Sequence, residues 1–330
     1  MWQHYTYNDP TGKYPYYVYT PANYQPGRAV PLFVMLHGCT QSAQDFATGT
    51  MMNKLADKEG FIVVYPEQGM MKNQGRCWNW FQPANQHRDH GEPARIVGIV
   101  RELQQNSARW TIDERRIYVA GLSAGGAMSA ILGATYPDVF AAIGVHSGLA
   151  YQSATNLTGG LRAMRRGGSD PQSQGQAAFH AMSDLARIVP TIVIHGTHDK
   201  TVTPLNGDQA VQQWMETNQL ASKNTFNSNF TQPTTVTSGQ VPGGRAYVVA
   251  TWKAASGREL QSYWKIGGMG HAWSGGNALG SFTDPSGPSA TQAMHDFFIA
   301  HSLDDVDKHA SAPYTKVRHL IADLFKVRRD

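Results

Sequence analysis

Arg116-Ile117-Tyr118-Val119-Ala120-Gly121-Leu122-Ser123-Ala124-Gly125-Gly126-Ala127-Met128 is the stretch on which the reading of this chain turns. Ile117 to Ala120 is β-branched, aromatic or apolar without a polar break, which predicts a short buried strand. Gly121-Leu122-Ser123-Ala124-Gly125 fits G-x-S-x-G, the turn called a nucleophile elbow. From Ala124 to Tyr136 the residues are small or helix-forming, and Pro137 ends the run. A strand therefore enters a tight turn, a helix leaves it, and a serine stands at the apex. Glycines two before and two after the serine leave room for strand and helix to pass close together. The helix aims its N-terminal amides and positive dipole end at the place where an oxyanion would form. The pentapeptide alone is weak, because a chain this rich in glycine and serine would hold roughly 0.2 copies by chance. The order of strand, turn and helix gives it weight.

Upstream, Ala29 to Leu36 is a strongly apolar strand that ends in His37-Gly38-Cys39-Thr40-Gln41. A His-Gly at the carboxyl end of an early strand is where elbow-type enzymes draw their second oxyanion amide. The backbone N–H of Cys39 is the candidate, partnered by that of Ala124. Thr50 to Gly60 reads as a helix closed by glycine, and Phe61 to Tyr65 as the next buried strand. Residues 67–91 form a long loop holding Cys77-Trp78-Asn79-Trp80-Phe81, either a private core of the loop or a binding surface. Glu92 to Arg109 reads as a helix.

Downstream, Phe140 to Val145 is a strand ending at His146, and residues 150–188 read as a partly helical connection or cap. Thr191 to Ile194 is again β-branched and runs into His195-Gly196-Thr197-His198-Asp199. An acid just past a strand end is where a triad carboxylate belongs, so Asp199 is preferred. Asp208 is the rival, but it falls within a predicted helix over 206–221. His195, His198 and Asp199 do not have a recognised metal-ligand spacing. Residues 222–243 are polar and turn-rich; Arg245 to Lys253 and Glu259 to Ile266 read as a hairpin. Then comes Gly270-His271-Ala272-Trp273 in a glycine-rich loop, from which a histidine can reach back over the sheet edge. Ser289 to His301 reads as the closing helix.

With 330 residues and 16% charged side chains, the chain has the composition of an ordinary globular protein that buries a large core. It has no apolar run of transmembrane length and no evident signal peptide at Met1-Trp2-Gln3-His4-Tyr5. No internal repeat or linker divides residues 1–301, which read as one domain. Residues 302–330 form a basic tail, read as a short amphipathic helix whose charge gives little reason to expect nucleic-acid or membrane binding. Cys39 and Cys77 are the only two cysteines. A disulfide would suit export and free thiols the cytosol; neither two cysteines nor any H-E-x-x-H motif suggests a metal site.

Ser123, Asp199 and His271 occur in the chain order of the α/β-hydrolase fold, each just after a predicted strand. The expected architecture is a mostly parallel sheet with helices on both faces. His37-Gly38-Cys39-Thr40-Gln41, Cys77-Trp78-Asn79-Trp80, Gly121-Leu122-Ser123-Ala124-Gly125-Gly126 and Gly270-His271-Ala272-Trp273 together resemble the poly(3-hydroxybutyrate) depolymerase family of esterases, over roughly residues 10–300. Feruloyl and acetylxylan esterases are near relatives. The resemblance implies a serine hydrolase without cofactor or obligate protein partner, acting on short-chain polyesters or plant cell-wall esters, often outside the cell. It makes Ser123 the nucleophile, Asp199 and His271 its partners, and Cys39 an oxyanion donor. It also suggests a Cys39–Cys77 bridge. Trp78, Trp80 and Trp273 are the aromatic residues expected to line a substrate groove.

Overall fold

The computed structural model describes residues 1–226 and 229–305. At the N-terminus, β1 (Trp2–Asp9) and β2 (Gly12–Tyr19) form an antiparallel hairpin. β3 (Val30–Leu36) leads into α1 (Ala43–Thr50) and α2 (Met52–Glu59), which are separated at Met51 by a left-handed residue with φ 56°. The single helix expected over Thr50–Gly60 is thus the second of two short ones, and the first was not foreseen. Next come β4 (Ile62–Pro66), α3 (Gly91–Gln105), β5 (Ile112–Leu122), α4 (Ala124–Thr135) and β6 (Ala142–His146). Two helices, α5 (Leu157–Arg166) and α6 (Pro171–Met182), occupy the predicted cap before β7 (Thr191–Gly196) and α7 (Pro204–Ala221).

A polar strand, β8 (Thr235–Gln240), lies inside the stretch expected to be loop. It is followed by the predicted hairpin, β9 (Ala246–Lys253) and β10 (Glu259–Ile266). The described chain closes with the short parallel pair β11 (Trp273–Ser274) and β12 (Thr283–Asp284), then α8 (Ala290–Ile299). The basic tail lies, from residue 306 on, outside the described residues.

Ten strands form one sheet in the order β1-β2-β4-β3-β5-β6-β7-β10-β9-β8. From β4 across to β10 every neighbouring pair is parallel, and both flanks are antiparallel. Side chains alternate between two cores, as the pleat requires. Leu32, Val34 and Leu36 join Val97 of α3, Met128 of α4 and Trp214 of α7 on one face. Phe33 and Met35 join Phe46 of α1, Met52 of α2 and Phe298 of α8 on the other. This is the α/β-hydrolase fold. Its consequence for function is that the carboxyl ends of β3, β5, β6 and β7 come out along one edge.

At that edge the elbow is a close passage of backbone. Leu36 of β3 pairs with Gly121 of β5. A side-chain carbon at Gly125 would collide with the Leu36 carbonyl oxygen, and one at Gly121 with the Gly125 backbone. Gly125→Ala should therefore lower the unfolding free energy by about 3 kcal/mol or more. Gly69→Ala, at a site with nothing within 4 Å, should change it by less than about 0.5 kcal/mol. Urea denaturation of the two variants beside the parent checks the contrast.

Candidate active site

Ser123 sits between β5 and α4 with φ 58° and ψ −118°, a conformation that is strained for any residue with a side chain. The strain persists because both of its backbone groups are bonded. Its N–H donates to the His146 carbonyl at 2.9 Å, and its C=O accepts from Ala127 N–H at 3.0 Å. Strand, turn and helix thus follow one another in the order the sequence suggested.

Asp199 lies in the turn after β7 and is buried. One carboxylate oxygen accepts the backbone N–H groups of Thr201 and Val202, both at 2.9 Å. The other accepts from His271 Nδ1 at 2.7 Å and lies 3.4 Å from His195 Nε2. Burial by itself would raise the carboxyl pKa; hydrogen bonds from His195 and His271 outweigh it and hold the group far below the usual carboxylate range. A carboxylate that is charged at neutral pH can only accept, so Nδ1 of His271 carries the proton and Nε2 is the basic nitrogen. The rival Asp208 is engaged elsewhere, by the Tyr263 hydroxyl at 2.9 Å and by Lys265 at 2.8 Å.

The structure thus brings Asp199 and His271 into direct contact. Ser123 is tied to the stretch after His271 through His146, which accepts the Ser123 N–H on its carbonyl and the Ser274 N–H on its Nε2, the latter at 3.0 Å. Ser274 is three residues past His271. Among the described residues no side-chain hydrogen bond joins Ser123 to His271; such contacts are often long before substrate binds.

His146 was not foreseen as a site residue, and it is one of three buried histidines with a common task. His37, just past β3, accepts Gln68 N–H on Nε2 at 3.0 Å and donates from Nδ1 to the Gly38 carbonyl at 2.8 Å. His195, in β7, donates from Nε2 to the Val202 carbonyl at 2.8 Å. A backbone N–H can only donate and a carbonyl only accept, so these partners fix each tautomer. The signal available in the sequence was position, a histidine at the carboxyl end of three of the core strands, β3, β6 and β7.

The Cys39 and Ala124 amides lie in the loop after β3 and at the first turn of α4. A side-chain carbon on Gly38 would stand 3.4 Å from the Ser123 Cβ, so the two segments touch. Cys39 and Cys77 form a disulfide. It joins the loop after β3 to the long loop after β4, with help from Thr40 N–H to Gly75 O at 2.7 Å and Trp78 Nε1–H to His37 O at 3.1 Å. Glu92 at the start of α3 anchors that loop from below, accepting from the backbone and side-chain nitrogens of Asn79, both at 2.7 Å, and from Gln68. Burial pushes the Glu92 carboxyl up despite these donors.

The tryptophans correct the sequence reading. Trp78, Trp80 and Trp273 are 4%, 5% and 1% exposed, so they do not line an open groove. Trp78 and Trp80 belong to the main core under the loop, with Trp80 packed beneath Gly160 of α5. Trp273 stacks on His146 at 4.9 Å and donates to Thr291 Oγ1 at 3.0 Å. Their faces are taken up in holding the loops. Two surface grooves of about 460 and 480 Å³, along β8–β10 and between β10 and α8, contain none of Ser123, Asp199 and His271. Concavity and residue chemistry therefore point to different places, and the chemistry is the more specific guide.

Burial lowers the pKa of His146 well below its ordinary value, and that of His37 in the same direction. Both are neutral in the folded chain but protonate near pH 6.5 when it unfolds. The unfolded state then binds more protons below that pH, so stability is full above it and declines as pH falls. Each histidine contributes a slope of up to about 1.4 kcal/mol per pH unit. Unfolding free energies measured between pH 7.5 and 5 should fall in this way, and His146→Gln should flatten the slope.

The family described as Esterase PHB depolymerase has a model that matches residues 14–227, a range holding Cys39, Cys77, Ser123 and Asp199. Poly(3-hydroxyalkanoate) depolymerase C of Paucimonas lemoignei is 36% identical over 244 residues, covering 73% of this chain and 54% of that protein. Feruloyl esterase B of Thermothelomyces thermophilus is 32% identical over 205 residues, covering 60% of this chain and 68% of that protein. The chain therefore spans about half the length of the depolymerase it matches. An acetyl xylan esterase from Aspergillus awamori superposes with a TM-score of 0.71 at 21% identity, covering 90% of this chain and 99% of that one, which is likeness of fold. With the family match extending from β2 across the elbow to the end of α7, this chain belongs to the Esterase PHB depolymerase family.

Proposed function

We propose that this chain is a serine esterase in which Ser123 is the nucleophile, His271 the general base and Asp199 the group that orients and charges the imidazole. The observation that carries the reading is the 2.7 Å contact of His271 Nδ1 with a buried, ionised Asp199, on the same edge of the sheet as a strained elbow serine. Rotation of the Ser123 side chain toward Nε2 lets the imidazole take the hydroxyl proton as the oxygen attacks an ester carbonyl. The Cys39 and Ala124 amides receive the oxyanion, each worth about 3 kcal/mol of transition-state stabilisation. The imidazolium then protonates the leaving alcohol. Water, deprotonated in turn by His271, hydrolyses the acyl-enzyme.

The substrate we favour is a polyester of short hydroxy acids, supported by the family match and the depolymerase relative. A second reading, a feruloyl or acetylxylan ester, is supported by the fuller coverage of the feruloyl esterase and of the acetyl xylan esterase structure. No helix among the described residues is long and apolar enough to cross a membrane. The Cys39–Cys77 disulfide supports an oxidising, extracytoplasmic setting.

A fluorophosphonate probe should label the parent chain at Ser123 and leave Ser123→Ala unlabelled. Ser123→Ala should also lower kcat/KM on a nitrophenyl ester by on the order of 10⁴-fold or more. Release of hydroxybutyrate oligomers from polymer film, set against ferulate from its methyl ester, decides between the two substrates. Absence of labelling in the folded parent would end the esterase reading.

A further inference from the structure

We propose that Phe282 is a specificity-determining residue whose ring forms the apolar wall beside which the alcohol half of the ester lies as it leaves. The inference rests on the esterase reading above and adds the half of the substrate that this chain selects.

Phe282 is 44% exposed, and its ring meets His271 edge-on, with centroids 6.2 Å apart and planes at 75°. It is an aromatic ring left in solvent beside the imidazole, where the three tryptophans expected to bind substrate are buried. Its φ of 50° lies in the left-handed region, which suits glycine and is strained for a bulky side chain. A strained, exposed aromatic next to the reacting groups is an observation that asks for a function.

The ring is held although it is exposed. Its carbonyl accepts Trp273 N–H at 2.7 Å, which ties it to the loop of His271. The preceding Ser281 donates its N–H to Asp45 at 2.9 Å and its hydroxyl to the same carboxylate, while its carbonyl accepts from Gln41 Nε2 at 3.0 Å. Gln41 also accepts Gly38 N–H at 2.9 Å, so one side chain joins the oxyanion loop to the Phe282 loop. A pre-positioned wall of this kind binds an apolar group without first having to be ordered.

The alcohol half follows from the chemistry. The imidazolium must reach the leaving oxygen to protonate it, so whatever that oxygen carries passes along the flank of the imidazole. Phe282 is the exposed ring set edge-on against that imidazole. An alcohol bearing methyl or methylene groups buries them against the ring, whereas methanol has almost nothing to bury.

The experiment compares methyl butanoate with butyl butanoate on the purified full chain, parent beside F282G and F282L. Glycine accepts φ 50°, so F282G removes the wall while relieving the backbone, and its Tm should be unchanged or higher. F282G should lose about tenfold in kcat/KM on the butyl ester and less than twofold on the methyl ester, the scale on which an apolar pocket discriminates. F282L should keep most of the preference. The ratio of the two kcat/KM values does not depend on how much enzyme is folded, so a poorly folding variant still gives an answer. An unchanged ratio in F282G, whether both esters slow equally or neither does, overturns the proposal alone. A folded parent that hydrolyses neither ester overturns the esterase reading and this inference together.

Discussion

The contact on which the rest depends is the passage of Gly125 over the Leu36 carbonyl, with Gly121 beneath it. No side chain takes part. Because Leu36 and Gly121 are paired neighbours on β3 and β5, α4 can begin directly above the end of β3 only if both glycines lack a side chain. That proximity sets the Ala124 amide, the Cys39 loop and the Ser123 side chain around a common point. A larger residue at either position would lift α4 away from β3 and separate the two amides without touching a side chain of the proposed triad. The small residues of α4, all of them buried, serve the same end: the helix is placed by close backbone approach rather than by bulky side chains.

Around this point the structure must solve a problem of polar edges. Strands that end together in the interior leave N–H and C=O groups that cost free energy if unpaired. His37, His146 and His195 answer it, one for each of β3, β6 and β7. A neutral imidazole offers one donor and one acceptor on a rigid ring, and so can bridge a strand end to the backbone of a neighbouring loop. The loops so bridged are those carrying the disulfide, His271 and Asp199. With burial lowering the pKa of His37 and His146, Asp199 is the charge nearest His271.

Much of this was legible in the sequence. β3, β4, β6 and β7 and the Ile117–Leu122 part of β5 read as largely apolar runs because both of their faces are buried; Ser123 and Asp199 were read from positions past such runs, and His271 from its glycine loop after β10. What escaped has physical causes. β8 is exposed on nearly every residue and pairs on one side only, so it carries no hydrophobic pattern. β1 sits at the opposite edge, exposed on the face of His4, Thr6 and Asn8 and only half-buried on that of Tyr5 and Tyr7, so it carries no strongly apolar run. The tryptophans were misread because composition cannot tell a loop's private core from a binding surface. What distinguishes them is the partner of each indole N–H: a fixed backbone or threonine oxygen marks Trp78 and Trp273 as structural. Phe282 is the opposite case, an unremarkable residue in a polar loop whose importance lies in a backbone angle that no sequence pattern announces.

Position in the loops, finally, is maintained by covalent and non-covalent ties acting in parallel. The Cys39–Cys77 bridge spans 38 residues, and closing a loop of that size in the unfolded chain is worth about 3–4 kcal/mol on the entropy model. Three hydrogen bonds join the same two segments: Gln68 to His37, Trp78 to His37, and Thr40 to Gly75. They lie on either side of Gly38 and Cys39. Each net hydrogen bond is worth about 1 kcal/mol, so the set is comparable in size to the bridge. The bridge acts mainly by restricting the unfolded chain, whereas the hydrogen bonds act in the folded one. Orientation of the Cys39 amide therefore belongs to the hydrogen bonds, and persistence of the folded loop against unfolding belongs to the disulfide.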